Sequence, residues 1–394
     1  MAKKRSKYLL LTAVFSFLVG FISSAFAIIY LSIPESFVIP ETIPAKVIQT
    51  SNQTIVHSDI DVDIIKSQDL SIHFLELGNK YTGDCTLIKV GDTEVLIDAG
   101  SRANSVPIIQ EYLNQYVADG TIEYVIVTHA HQDHIAGFGT SVNTDSLFDL
   151  FNVETVIQFV YTASRSQVYQ NYCRELTELQ ERCGTNVYTA LDCVDNDNAN
   201  GTRFYDLSAD IKLEILDQKY YHENTAKNEN DNSVCCQIIQ NNEKYYLFTG
   251  DLEESGEASL VTSNELHQVE LYKAGHHGSK TSSSNKLLSV IQPKHVCVCC
   301  CAGSSEYTPK NANQFPTQDF IDRVAPYTEQ VFVTTLCVDY KAGTFTSMNG
   351  NIVIYCRRED EKINVACSNN TTILKDTDWF KNNRSIPNAW NVTK

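Results

Sequence analysis

Apolar runs of strand length recur along the chain, each bounded by Gly, Asn, Asp or Ser, and stretches with apolar residues at helical spacing lie between them. Residues 72–77, 85–90, 95–97 and 124–128 read as strands of a first half, with a helix over 106–118. Residues 156–159, 186–190 and 211–216 continue the strand pattern around a helix over 166–182. Residues 234–239, 245–248, 271–273 and 296–301 read as strands of a second half, followed by a helix over 317–325. Residues 331–335, 344–349 and 352–356 then predict a closing meander, with Asn349-Gly350 as its hairpin turn. Strand runs alternating with helices at both ends predict an α/β fold with two packed sheets and outer helices, a four-layer αββα sandwich.

The most informative polar positions fall where these strands end. Residues 128–134 read T-H-A-H-Q-D-H, directly after a strand-forming run. His129 and His131 are two apart in extended chain, so their side chains share one side. Asp133 and His134 follow once the chain has turned. Such groups cost stability when buried without a partner. A divalent ion removes that cost, since imidazole and carboxylate are first-choice ligands for zinc and also serve manganese and iron. The two halves of the motif can face two ions about 3.5–4 Å apart. Residues 245–248 end in Thr249-Gly250-Asp251, where an Asp after a close-approaching Gly can bridge two ions. Residues 271–284 read L-Y-K-A-G-H-H-G-S-K-T-S-S-S, which sets His276 and His277 after the strand carrying Lys273. His57, His73, His222, His267 and His295 stand alone and read as ordinary surface or core histidines.

These motifs resemble those of the metallo-β-lactamase superfamily, and the chain is most similar to the soluble hydrolase domain of competence-type DNA-uptake channel proteins. The resemblance runs over residues 71–367. It passes through I-H-F-L-E-L-G (72–78), Gly83-Asp84-Cys85, V-L-I-D-A-G (95–100), the H-x-H-x-D-H loop, F-T-G-D (248–251) and G-H-H-G-S (275–279). It implies a sandwich of the metallo-β-lactamase type and two divalent metal ions, Zn2+ or Mn2+. On the resemblance, His129 and His131 hold one ion, Asp133 and His134 the other, and Asp251 bridges them. One of His276 and His277 completes the second site, and the other contacts substrate or donates a proton. Asp133, Asp251 and His277 are the implied catalytic residues. Asp98 orients the ligand loop, and Asp84 and Lys273 stand beside the metals. Many members supply a further His to the first ion, but residues 230–234 here read N-D-N-S-V, and His222 nearby is a poor substitute. The competence-type group also shows Asn and Ser there.

The implied activity is hydrolysis by water activated at the ions. A phosphodiester suits the site, because its hydrolysis mainly requires positioning and neutralising oxygens. Residues 278–284 add Lys280, Ser279 and further hydroxyls that could receive an oxyanion, or could simply be a polar loop with a helix N-cap. The expected substrate is a nucleic acid or a phosphodiester-bearing cell-wall polymer. The alternatives are a lactonase, thioesterase or β-lactamase on the same metals, or a non-catalytic scaffold of the same fold.

Compartment and surface follow from the rest of the chain. Lys3, Lys4, Arg5 and Lys7 precede an uncharged run over 8–33, long enough to span a bilayer with the basic end in the cytoplasm. Residues 1–33 are thus expected to be a single-pass anchor of a membrane protein whose catalytic domain is extracellular. The rival is secretion after signal cleavage near Ala27, at Ala25-Phe26-Ala27. Residues 34–70 read as a stalk or linker with a strand near 55–65, 71–367 as the hydrolase domain, and 368–394 as a poorly ordered polar tail. The formal net charge is −17, which argues against tight non-specific nucleic-acid binding. All thirteen cysteines follow the apolar run. Those around Cys297, Cys299, Cys300 and Cys301 read as small buried hydrophobes. Disulfides are conceivable among Cys173, Cys183, Cys193, Cys356 and Cys367 in an extracellular protein.

Overall fold

A computed structural model describes residues 56–57, 60–195 and 200–391, all within one compact unit, Ala45–Lys394. Seven strands run in chain order: β1 (Val56–His57), β2 (Leu70–Phe74), β3 (Thr86–Val90), β4 (Thr93–Ile97), β5 (Thr121–Val127), β6 (Asn152–Gln158) and β7 (Asn186–Thr189). Eight more follow: β8 (Phe204–Asp206), β9 (Ile211–Leu216), β10 (Cys235–Gln240), β11 (Lys244–Phe248), β12 (Leu271–Lys273), β13 (His295–Ala302), β14 (Val331–Asp339) and β15 (Thr344–Ser347). The last two are β16 (Ile352–Cys356) and β17 (Asn364–Cys367). They assemble into one sheet of order β1-β17-β16-β2-β3-β4-β5-β6-β7 and another of order β15-β14-β13-β12-β11-β10-β9-β8.

Each sheet is mixed. In the first, β4, β5, β6 and β7 are parallel neighbours, and in the second, β11 to β14 are. Parallel strands are covered on both faces, which accounts for their continuous apolar runs. One hydrophobic core lies between the sheets, where Phe74 meets Phe248 with ring centroids 6.4 Å apart. A second core lies under the helices Glu254–Ser263, Asn285–Ile291 and Gln318–Val324. β13 divides its side chains between the two by strand alternation: Cys297 and Cys299 face the first core, Val296, Val298 and Cys300 the second. These cysteines pack as hydrophobes, and all thirteen are free thiols. The disulfides considered from the sequence are therefore absent.

Several expectations are corrected. Asn349-Gly350 is not a hairpin turn. It carries the chain from β15, in the second sheet, to β16, in the first. The fully buried run of β16 is covered by pairing between β2 and β17, and Asn349 ties the crossover down by accepting from Val333 N and donating to Asn370 O and Thr372 O. The hairpin is instead β14–β15. The tail is not poorly ordered through residue 391, because Phe380 and Trp390 enter the second core. The helix expected over 106–118 ends at Leu113. Where a strand was expected near 55–65, the described residues hold β1 and the start of the helix Val62–Lys66, with Asp61 as its N-cap. Among the described residues no helix is long and apolar enough to cross a membrane. The basic start, the apolar run and the possible cleavage site lie outside the described residues.

Candidate metal centre

The carboxyl ends of the parallel strands face one edge of the sandwich, where open α/β sheets form their crevices. β5 delivers residues 128–134, β4 delivers Asp98, β11 delivers Asp251, and β12 delivers His276 and His277. Backbone hydrogen bonds stitch the loops together: Asp84 N to Asp133 O at 3.0 Å, Ala99 N to His134 O at 2.8 Å, and Val234 N to Thr128 O at 2.9 Å. Asp98 itself adopts a left-handed conformation, φ 59°. That places its carboxylate to accept from Thr128 N and Thr128 Oγ1, each at 2.8 Å, and from His134 Nδ1 at 2.7 Å. The ring of His134 is thereby fixed with Nε2 aimed inward.

Asp251 is the centre of convergence. Its Oδ2 lies 3.2 Å from His134 Nε2, 3.3 Å from His277 Nε2, 3.9 Å from His276 Nε2 and 4.0 Å from His129 Nε2. His277 Nε2 is also 3.3 Å from Asp133 Oδ2. His131 Nδ1 approaches His129 Nε2 at 3.0 Å. Asp84, His134, Asp251 and His277 each offer a ligand atom within 4.8 Å of the others, and all four are buried. His134 Nε2, His277 Nε2, Asp84 Oδ1 and Asp251 Oδ1 are buried with no hydrogen-bond partner. The two orphaned Nε2 atoms, both aimed at Asp251 Oδ2, fit a divalent cation.

The charges agree with a centre that needs one. Burial raises the pKa of Asp251, but His277 and His134 outweigh it and hold the carboxyl well below its ordinary value. Burial likewise opposes charge on His134 and His277, yet the Asp251 carboxylate pulls both well above the usual imidazole range. His129 goes the other way, lowered by burial and by His134.

His276 and His277 part company. His277 is fully buried at the convergence, with Nδ1 fixed by Cys299 O at 2.9 Å. His276 is half-buried and turns Nδ1 to Thr281 Oγ1 at 3.1 Å. Both adopt left-handed conformations, φ 45° and 54°. The 279–284 stretch does not form an oxyanion cradle as a whole. Glu257 accepts from Ser283 N and Ser284 N, Ser284 caps the helix Asn285–Ile291, and Ser282 is buried. Ser279 Oγ meets Thr281 Oγ1 at 3.0 Å, and Lys280 reaches out to Asn313. His222 pairs with Asp217 at the surface, away from these groups.

Three contributors were not singled out from the sequence. Ser233 lies in the N-D-N-S-V stretch, residues 230–234. Its hydroxyl accepts from Asp251 N at 3.0 Å and lies 3.4 Å from His129 Nδ1. Glu253 receives Thr281 Oγ1 and Asn230 Nδ2 beside His276. Tyr307, an exposed residue on the loop after β13, donates to Asp133 Oδ2 at 2.6 Å. Only Ser233 had a signal, its place in N-D-N-S-V; the other two are brought in by tertiary contact.

The family profile of the metallo-beta-lactamase superfamily matches residues 78–144, which include the whole H-x-H-x-D-H loop. Two mixed sheets flanked by helices are consistent with the metallo-β-lactamase fold. The cluster of Asp84, His134, Asp251 and His277 is of the metal-binding kind typical of hydrolases with that fold. Recombination protein 2 of Haemophilus influenzae is 26% identical over 266 residues, and competence protein ComA of Neisseria gonorrhoeae is 33% identical over 125. The first match covers 67% of this chain and the second 31%, but the chain spans only 28% and 17% of those proteins. The similarity to competence-type proteins is therefore partial. The metallo-beta-lactamase fold protein YhfI of Bacillus subtilis aligns with 71% of this chain and 99% of its own, at 11% identity and a TM-score of 0.40.

Proposed function

We propose that this protein is a metal-dependent hydrolase acting on a phosphodiester. The observation that carries the hydrolase reading is the pair of orphaned buried Nε2 atoms of His134 and His277, both aimed at Asp251 Oδ2. The chemistry a divalent ion supplies there is Lewis acidity, which acidifies water and neutralises charge developing on the attacked group. His129, His131 and Asp251 would hold one ion; Asp133, His134, His277 and Asp251 the other. Tyr307 donates to Asp133 Oδ2, and the Asp133 carboxylate would accept the proton released by the attacking water. His276, on the rim, faces the substrate. The phosphodiester reading draws on the partial similarity to a recombination and a competence protein and on the lack of a histidine at 230–234. Nucleic acids and wall polymers are both in scope as substrates.

A second reading is hydrolysis of a lactone, thioester or β-lactam at the same metals. It is favoured by the loss of Ser282, Ser283 and Ser284 to the fold, which removes most of the expected phosphate cradle. The test is turnover of bis(p-nitrophenyl) phosphate by the full chain in detergent, with Mn2+ or Zn2+ restored after chelation. Metal-dependent turnover that disappears in Asp251→Ala, and in His131→Ala, is the expected result. Turnover confined to lactone, thioester or β-lactam probes would transfer the assignment to the second reading.

A further inference from the structure

β12 ends in a side chain that the site does not obviously need. Lys273 is 3% exposed, and its ammonium contacts Asp84 Oδ2, donates to Gly250 O at 3.4 Å and lies 3.8 Å from Asp251 Oδ1. A buried ammonium is costly unless paired, so it holds its partners firmly. The two carboxylates it touches are divided by it. Asp251 turns Oδ1 to the lysine and Oδ2 to the imidazoles of His134, His277, His276 and His129. Asp84 gives Oδ2 to the lysine, and its contacts with histidine are on the wrong side of both rings for coordination. It lies 3.2 Å from His277 Nδ1 and 3.8 Å from His134 Nδ1. These are the nitrogens already engaged by Cys299 O and Asp98, while the Nε2 atoms of both rings point to Asp251.

We propose that Lys273 is a positioning residue of the metal centre: its ammonium keeps Asp84 out of the ligand set and leaves Asp251 to present a single oxygen, Oδ2, to the metals. The proposal rests on the metal half of the function above and is independent of the substrate. Asp84, for all its closeness to His134 and His277, belongs to the lysine. The charge of Asp84 is spent internally, and the site keeps Asp133 and Asp251 as its anionic ligands.

The test is Mn2+ binding to the full chain in detergent, followed by the electron paramagnetic resonance of free Mn2+. Lys273→Met releases Asp84 as an extra anion and should tighten Mn2+ binding by about tenfold, whereas Lys273→Arg should stay near wild type. Lys273→Met combined with Asp84→Asn should return affinity to within about threefold of wild type, because a buried pair is replaced as a unit. That double variant decides the matter even where the single one does not fold. A loss of about tenfold or more in the folded double variant would make Asp84 a true ligand and overturn the proposal, as would a folded Lys273→Met that binds no more tightly than wild type. No Mn2+ binding by the wild-type chain would instead remove the metal reading itself, and the proposal with it.

Discussion

Asp98 shows how one side chain sets the behaviour of several others. It accepts from Thr128 twice and from His134 Nδ1 once, on the side of the ring opposite the Nε2 that meets Asp251 Oδ2. Asp98→Asn should leave the fold in place and weaken metal affinity about 10- to 100-fold, because His134 loses the partner that fixes its ring. Equal Mn2+ affinity in the two proteins would refute the orienting role. His73 illustrates the opposite case, a histidine with no part in the site. It is buried in the first sheet between Tyr112 Oη and Ser71 Oγ, both at 2.8 Å, and burial pushes its pKa down to about 3. The unfolded chain titrates near 6.5, so between these values the unfolded state binds the extra proton. His73 therefore supports stability above pH 6.5, and that support is lost as pH falls toward 3. Between pH 7 and pH 5 the wild type should lose about 2 kcal/mol more than His73→Gln in urea unfolding. Parallel pH slopes for the two would contradict the burial argument.

At the scale of elements, the site is a set of loops pressed together where strands end, and glycines are the points of closest approach. A Cβ on Gly83 would lie 2.6 Å from Ser101 Cβ and 2.8 Å from Asp133 O. Gly83→Ala should thus cost about 1–3 kcal/mol and lower metal occupancy by displacing the Asp133 loop. An unchanged melting temperature with full occupancy would show that the loop can absorb the methyl. The same scale explains what could be read in the sequence. Strands β9, β12 and β16 match their expected bounds, and the runs of β9 and β16 are flanked on both sides by polar residues, Asp210 and Asp217 for one, Asn351 and Arg357 for the other. The metal-bearing loops were legible because histidine and aspartate are clustered there. The helix Glu254–Ser263 was missed, since it buries only Gly256, Glu257 and Leu260 and carries no apolar stripe. Asn349-Gly350 was misread because a turn signal is local, while the choice between a hairpin and a sheet-to-sheet crossover depends on which strand lies beside β16. Tyr307 and Glu253 were invisible for the same reason: only the fold brings them to Asp133 and His276.

For the whole molecule, the sequence places an uncharged run over 8–33 ahead of an acidic domain, and we propose that it anchors the domain outside the membrane. Protease added to intact cells should remove the domain while the basic start stays protected. Full protection would reverse the topology. The free thiols impose no oxidising step on folding in either place, since none of the thirteen needs a partner. The crossover at Asn349-Gly350 has a temporal consequence. β2 is made well before its neighbour β16, with every strand from β3 to β15 synthesised between them. The nascent chain must therefore carry β2 with one edge unmatched over that whole interval. Domains normally mature as they are synthesised. Here the first sheet cannot be completed until β16 and β17 have emerged, and the polymer must avoid intermolecular strand pairing until then.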